Sequence, residues 1–256
     1  MSLQACADLV QRGDPDRFAA AMAAPVAARK VLFPIYAFNL EVARAPWVTE
    51  EPMIAEMRLQ WWRDALGEIG AGGAVRRHEV VTPLAEVIDA QTAIVLDAAV
   101  AARRWDIYRD PFEDMAAFQG YLDATAGGLT WTAARALGAP AETEPVIRDF
   151  AWGAGLAAWF LAIPTLEARG RHPLPDGRPG AVQTLAREGL RRIAHARRSR
   201  HAVPNAAGAA LLAGWQADGI LRRAAMSPHR VAHGALASSE FSKRAGLLWR
   251  AATSRW

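Results

Sequence analysis

The chain has 256 residues, 52% of them hydrophobic, which is ample for one sizeable core. Its single cysteine, Cys6, excludes a disulfide framework within the chain and a cysteine zinc site. The net charge of +4 is unevenly spread: residues 1–170 carry 15 Lys/Arg against 22 Asp/Glu, and residues 171–256 carry 15 against 4, a field that draws the second part toward phosphate, anionic lipid or an acidic partner.

Apolar residues recur with the helical period almost throughout. From Met53 the segment MIAEMRLQWWRDALGEI sets Met53, Met57, Trp61 and Asp64 or Ala65 a turn apart, with Leu59, Trp62, Leu66 and Ile69 broadening the stripe. Pro52 suits its start, and Gly70, Gly72 and Gly73 stop it. A second helix is predicted over 83–105, burying Leu84, Val87, Ile88, Gln91, Val95, Ala98 and Ala102. Asp110-Pro111-Phe112-Glu113 reads as a capping box opening a helix over 111–137, with Gly128 as a weak point where it can bend.

Further helices are predicted over 143–168, 178–201, 205–225 and 228–251. Strand-like alternation is nearly absent, and no composition shift marks a domain boundary, so residues 1–256 read as one all-α domain. Small residues along 124–136 and 151–162 let helices approach closely, and Trp61, Trp62, Trp131, Trp152 and Trp159 are expected in the core or a pocket wall. The apolar run 151–166 ends in Ile163-Pro164 and reads as a buried helix rather than a membrane span. With no basic flank before a continuous apolar segment, the expectation is a cytoplasmic protein without a secretory leader, or one peripheral on the inner membrane.

No glycine-rich phosphate loop, nucleophile elbow or cysteine–histidine arrangement is present. Asp106, Asp110 and Asp114 recur every four residues, but the capping role of Asp110 breaks their shared face. His229 and His233 are also four apart, yet Arg230 stands where a zincin needs glutamate. No metal, cofactor or nucleic-acid partner is expected from these patterns. The run Arg187, Arg191, Arg192, Arg197, Arg198 and Arg200 follows one broad helical flank. Arg191, Arg192, Arg197 and Arg198 are its candidates for contact with an anionic surface.

Four stretches carry a family likeness: RFAAAMAAPVAARKVLFPIYAFNLEVAR (17–44), EMRLQWWRDAL (56–66), YLDATAGGLTWTAARALG (121–138) and WGAGLAAWFLAIPTLEARGRHPLP (152–175). In this order, over about residues 15–225, they resemble the squalene/phytoene synthase family of head-to-head prenyltransferases. The resemblance implies a helical bundle of the isoprenoid (terpenoid) synthase type with a central cavity. In active members, two aspartate-rich motifs facing across that cavity hold Mg²⁺ against substrate diphosphates. Such chemistry needs several carboxylates around a hard cation.

Those carboxylates are missing at the matching positions. After Tyr36-Ala37-Phe38 the only acid is Glu41, and the expected aspartates fall on Ala43, Arg44 and Trp47. In the last stretch the expected asparagine falls on Ala158 and the two aspartates on Ala162 and Leu166. Glu167 points about 100° round the helix from Leu166. Tyr121, Ala126, Gly127, Gly170, Arg171, Leu174 and Pro175 do match.

Phe38-Asn39, Gln60-Trp61-Trp62-Arg63-Asp64 and Pro164-x-x-x-Ala168 look like the assembly-factor-like branch, whose mitochondrial relatives assist respiratory complex I. The expectation is a non-catalytic accessory or assembly protein with a protein client and an apolar, isoprenoid-like ligand. Tyr36, Phe38, Glu41, Trp61, Tyr121, Gly127, Trp159 and Arg171 are the candidate cavity contacts. Two alternatives stand beside it. One is an Mg²⁺-dependent prenyltransferase drawing on Glu41, Glu56, Asp64 or Asp123. The other is a membrane-surface module using the basic second half.

Overall fold

The computed structural model describes residues 3–256, and among them every regular element is helical. The helices are α1 (Leu3–Gly13), α2 (Pro15–Ala23), α3 (Val26–Arg44), α4 (Pro52–Gly70), α5 (Val81–Ala85), α6 (Ala90–Ala102), α7 (Met115–Leu122), α8 (Gly128–Ala136), α9 (Glu144–Ala168), α10 (Pro179–Arg198), α11 (Asn205–Leu211), α12 (Ala217–Met226), α13 (His229–Ala232) and α14 (Glu240–Ala252). One contiguous apolar cluster extends from Cys6 to Trp256, with α9 near its middle. This is the all-α bundle with a central cavity that the sequence predicts.

Several elements differ from the sequence reading in ways that have physical causes. In α4 the buried face is Ala55, Leu59, Trp62, Ala65, Leu66 and Ile69, so Ala65 of the predicted stripe is buried, whereas Met53 and Met57 are exposed. The broadening residues are thus the true core stripe. The helix predicted over 83–105 is interrupted at 86–89. There Asp89 accepts from the Thr92 N–H and the Thr92 hydroxyl side receives the Asp89 N–H, a reciprocal cap that starts α6 afresh. Its buried face is accordingly Thr92, Ala93, Leu96, Ala99 and Val100, not Gln91, Val95, Ala98 and Ala102.

Asp110 does not cap. Phe112 is drawn into the core, stacked on Trp105 at 4.1 Å between ring centroids, so the chain stays irregular until Asp114, which accepts from the Ala117 N–H at 2.7 Å. The segment 205–225 breaks at a tight turn over Leu212–Gly214, and 228–251 breaks where Gly234 adopts φ +65°.

The expected bend near Gly128 is a π-helical turn over Asp123–Gly127 that joins α7 to α8. The Thr125 hydroxyl donates to the Tyr121 carbonyl within it. A π-turn widens a helix locally and re-aims the side chains before it.

Helix α9 passes by length and composition as a membrane span, but 56% of its apolar window is buried inside the bundle. It packs on α8, α10 and α12, and its glycines permit that closeness. A Cβ on Gly153 would lie 2.6 Å from the Ile193 side chain and 2.8 Å from the Gly189 carbonyl oxygen. Backbone cannot yield as a flexible side chain does. Gly153→Ala is therefore expected to cost about 1–3 kcal/mol in urea unfolding. Gly67→Ala, at a helical site with nothing within 4 Å of the new methyl, is expected to gain about 0.5–1 kcal/mol.

Candidate functional site

A cavity of about 400 Å³ opens between α3, α7, α8, α9 and α11. Its α9 wall is built from small residues, Ala151, Ala154, Gly155, Ala158 and Ala162, spaced at three and four along one face. That wall continues to Thr165, Leu166 and Arg169, so the lining follows about 27 Å of helix. Opposite it, the π-turn region contributes Tyr121, Leu122, Thr125, Ala126 and Leu129, while α3 and the turn after it contribute Asn39, Ala43 and Trp47. Most of the surface is apolar, and polar groups gather toward the Trp47 end.

The polar centre is a buried triad. Asp106 is 2% exposed and sits in the turn Arg103–Asp106 that follows α6. Arg103 Nη1 donates to Asp106 Oδ2 at 3.0 Å and to the Tyr121 hydroxyl at 2.8 Å. The Tyr121 hydroxyl lies 3.1 Å from both Asp106 oxygens and donates to that carboxylate. Burial pushes the Tyr121 phenol well above its ordinary pKa, so it remains a neutral donor. Burial also works against the Arg103 cation, but Tyr121 and Asp106 outweigh it and hold the guanidinium protonated.

Behind the wall, Arg171 is 6% exposed. Its guanidinium donates to the carbonyls of Trp105 and Asp106 and lies over the rings of Trp47 and Trp105. Burial lowers its pKa, with Asp106 partly restoring it. It is a wall tie rather than a surface arginine. Arg169, two residues earlier, is exposed and faces the cavity end with its guanidinium 4.7 Å from the Trp47 ring centroid. Among the described residues it has no carboxylate partner.

Of the residues expected at the cavity, Tyr121 and Trp159 line it, and Trp159 Nε1 is fixed by the Pro173 carbonyl at 2.9 Å. Tyr36 lies beneath the floor, its hydroxyl 3.4 Å from the Ala210 carbonyl and Arg17 over its ring; burial pushes its phenol up to about 12. Phe38 points away, edge-on to Trp62. Trp61 packs on Trp62 and His78 beneath Arg76. Glu41 faces Arg44 at 3.6 Å, outside the lining. Gly127 is buried against Asp123 and Arg148.

The other acids are engaged elsewhere. Glu56 meets Arg104 and Tyr108, Asp64 meets Gln60, and Asp123 meets Arg148. On α10, Arg191 and Arg192 share Glu188, and the Arg191 hydrogen bonds lead in holding that carboxyl down to about 2. Arg197 pairs with Asp218, while Arg198 is exposed. Sequence reasoning missed Arg103 and Arg169, and it dismissed Asp106. The one available signal was the Arg103-x-x-Asp106 spacing, which places the pair a turn apart.

Ala43, Trp47, Ala158, Ala162 and Leu166 line the cavity, so these positions where the resemblance places metal-site side chains are together in space, whereas Arg44, a further such position, is exposed outside the lining and faces Glu41. The donor set does not fit Mg²⁺. Among the lining residues Asp106 is the only carboxylate, and Arg103 and Tyr121 already occupy its oxygens. Among the described residues no group of three His, Cys, Asp or Glu side chains is placed to hold a cation.

A family model for squalene/phytoene synthase matches residues 10–178. No curated relative matches the sequence. A dehydrosqualene synthase solved with a ligand is similar in structure, with TM-score 0.80 and 14% identity over 98% of this chain and 95% of that one. Squalene synthase HpnC from Alicyclobacillus acidocaldarius gives TM-score 0.72 and 15% identity over 89% and 94%.

The triad has a direct test. Asp106→Asn leaves the largely buried Arg103 cation, 20% exposed at its side chain, without its counter-charge and is expected to cost about 2–3 kcal/mol in chemical unfolding. Tyr121→Phe removes a hydrogen bond but no charge and is expected to cost about 1 kcal/mol. Equal losses in the two variants would mean that the charge pair does not govern this site.

Proposed function

Because the chain belongs to the squalene/phytoene synthase family yet lines its cavity with Ala43, Trp47, Ala158, Ala162 and Leu166, we propose that it is a non-catalytic accessory member that holds an apolar, isoprenoid-like ligand. The carrying observation is the chemistry of that lining. A slot of small, aliphatic and aromatic side chains accepts a hydrocarbon chain, while the one carboxylate within it is engaged by its own neighbours.

The Trp47 end supplies what an anionic head group needs without a cation. Arg169 is exposed there and free of carboxylate partners among the described residues, and it presents the forked donors that suit phosphate. The accessory role is supported by the run Gln60-Trp61-Trp62-Arg63-Asp64. Arg63 holds Asp97 through two hydrogen bonds of 2.8 and 3.0 Å, which fixes α4 to α6 on the bundle's outer side. Ile94, 71% exposed beside this pair, is the apolar side chain on this surface that a protein client would cover.

Two measurements test the reading. Incubation with farnesyl or geranylgeranyl diphosphate and Mg²⁺ is expected to release no pyrophosphate. Calorimetry with farnesyl diphosphate in EDTA is expected to show binding that Arg169→Glu weakens about tenfold or more. Pyrophosphate release above background, lost in Asp106→Ala, would establish a prenyltransferase instead. Binding that requires Mg²⁺ would overturn the metal-free head-group site.

A further inference from the structure

Helix α14 is the least embedded of the long helices. Leu247 is its only buried residue, and it joins Ala20, Leu212 and Trp215 in a small cluster apart from the main core. Ala251 packs beside that cluster, and polar contacts complete the attachment: Lys243 reaches Asp16 at 3.5 Å, and the Lys243 carbonyl accepts from Trp215 Nε1 at 3.3 Å. A second apolar face is left without a partner. Phe241 is 82% exposed, Leu248 67% and Trp249 53%.

Phe241, Ala245, Leu248 and Ala252 recur at four, three and four residues, so they form one continuous stripe. Leu248 lies about 100° round the helix from the buried Leu247, which shows that the stripe is not the bundle-facing side. Arg244 flanks the stripe, and Arg255 follows the helix with its guanidinium over the Trp249 ring at 5.3 Å. Neither arginine has a carboxylate partner among the described residues. The only acid on the helix, Glu240, is taken by Lys243 at 3.0 Å.

An exposed stripe of Phe, Leu and Trp bordered by unpaired arginines is the composition of an interfacial helix. We propose that α14 docks this protein on an anionic bilayer surface, with Phe241, Leu248 and Trp249 entering the head-group boundary and Arg244 and Arg255 meeting lipid phosphates. Charge selects this occupant over a second copy. A two-fold contact through the stripe brings unpaired arginines of each copy near those of the other. Area argues against a protein partner as well. Three partly exposed large side chains on a 13-residue helix fall short of the ~800 Å² that a stable protein interface buries on each side.

The location also has a consequence. Helix α14 packs against α2 and the turn Leu212–Gly214, while Arg17, Ala213 and Gly214 line the central cavity. Docking would therefore set that flank of the cavity beside the bilayer. The docking itself does not depend on what the cavity holds.

The test is co-sedimentation of the full chain with vesicles of equal parts phosphatidylglycerol and phosphatidylcholine, and with phosphatidylcholine alone. Binding is expected to the anionic vesicles only and to fade at high salt. Phe241→Asp with Leu248→Asp, and separately Arg244→Glu with Arg255→Glu, are each expected to weaken it about tenfold or more. Arg191→Glu with Arg198→Glu on α10 is expected to leave it within about twofold. All these sites are exposed, and unchanged circular dichroism and melting temperature check the fold.

Absence of binding to anionic vesicles at low salt would overturn the proposal, as would loss in the α10 variant alone. Dimerisation abolished by Phe241→Asp with Leu248→Asp, without vesicle binding, would assign the stripe to a second copy. Polyglutamate binding as tight as vesicle binding and unaffected by that same variant would assign the cations to an acidic polypeptide.

Discussion

The cavity and its closest helix contact both depend on how little side-chain volume α9 presents along part of its surface, between the large side chains of Phe150, Trp152, Trp159 and Phe160 that anchor it in the core. A helix in a protein interior is ordinarily surrounded at crystal-like density, and α9 meets that condition on one side by placing Gly153 almost against the backbone of α10. On the cavity side the same economy has a second result. Gly155 meets the π-turn directly, where an added Cβ would lie 2.4 Å from Ala126, and beside that contact the short side chains of Ala151, Ala154, Ala158 and Ala162 leave space open. Close approach and cavity are therefore two outcomes of one composition. The π-turn over Asp123–Gly127 completes the arrangement by widening the facing helix where it passes α9.

A cavity wall made of alanine still has to accommodate buried charge, and the molecule does so with local closure. Arg103, Asp106 and Tyr121 satisfy one another, and Arg171 spends its donors on the carbonyls of the turn that carries Asp106. A buried ion pair contributes little net stability when compared with a hydrophobic substitute, but removing one member is costly. The triad thus preserves its own geometry and keeps Asp106, the single carboxylate of the lining, engaged with Arg103 and Tyr121. The electrostatics at this end differ in kind from those of an aspartate-lined site. The lining cations Arg17 and Arg103 are paired with Asp14 and Asp106, and among the described residues Arg169 is the lining cation without a carboxylate partner.

The fold was largely legible because amphipathic helices announce themselves by period, and the ordered motifs placed Ala43, Trp47, Ala158, Ala162 and Leu166 in one cavity, though Arg44 turns outward to Glu41. The phase of individual helices was less legible. Met53 and Met57 are as hydrophobic as Leu59 and Leu66, so periodicity alone did not rank the two stripes of α4; packing against α6 and the Ala45–Trp47 turn did. The cap at Asp110 failed because burial of Phe112 against Trp105 prevailed over a local hydrogen-bonding preference. Asp106 was misjudged for a related reason. Its partners come from a short turn and from a residue 15 positions away, Tyr121, which no helical spacing relates.

The charge asymmetry was plain in the sequence, but its meaning depended on pairing. Arg191 and Arg192 share Glu188 within α10, and Arg197 is met by Asp218 of α12, so these three cations of the basic run are paired inside the chain. The cations of α14 are fewer, yet Arg244 and Arg255 lie beside exposed apolar side chains instead of carboxylates. A charge count cannot distinguish these cases, because a salt-bridged arginine and a free one add equally to it. What distinguishes them is the neighbour. Where that neighbour is an unpartnered Phe, Leu or Trp, the same unit of charge is available to something outside the chain.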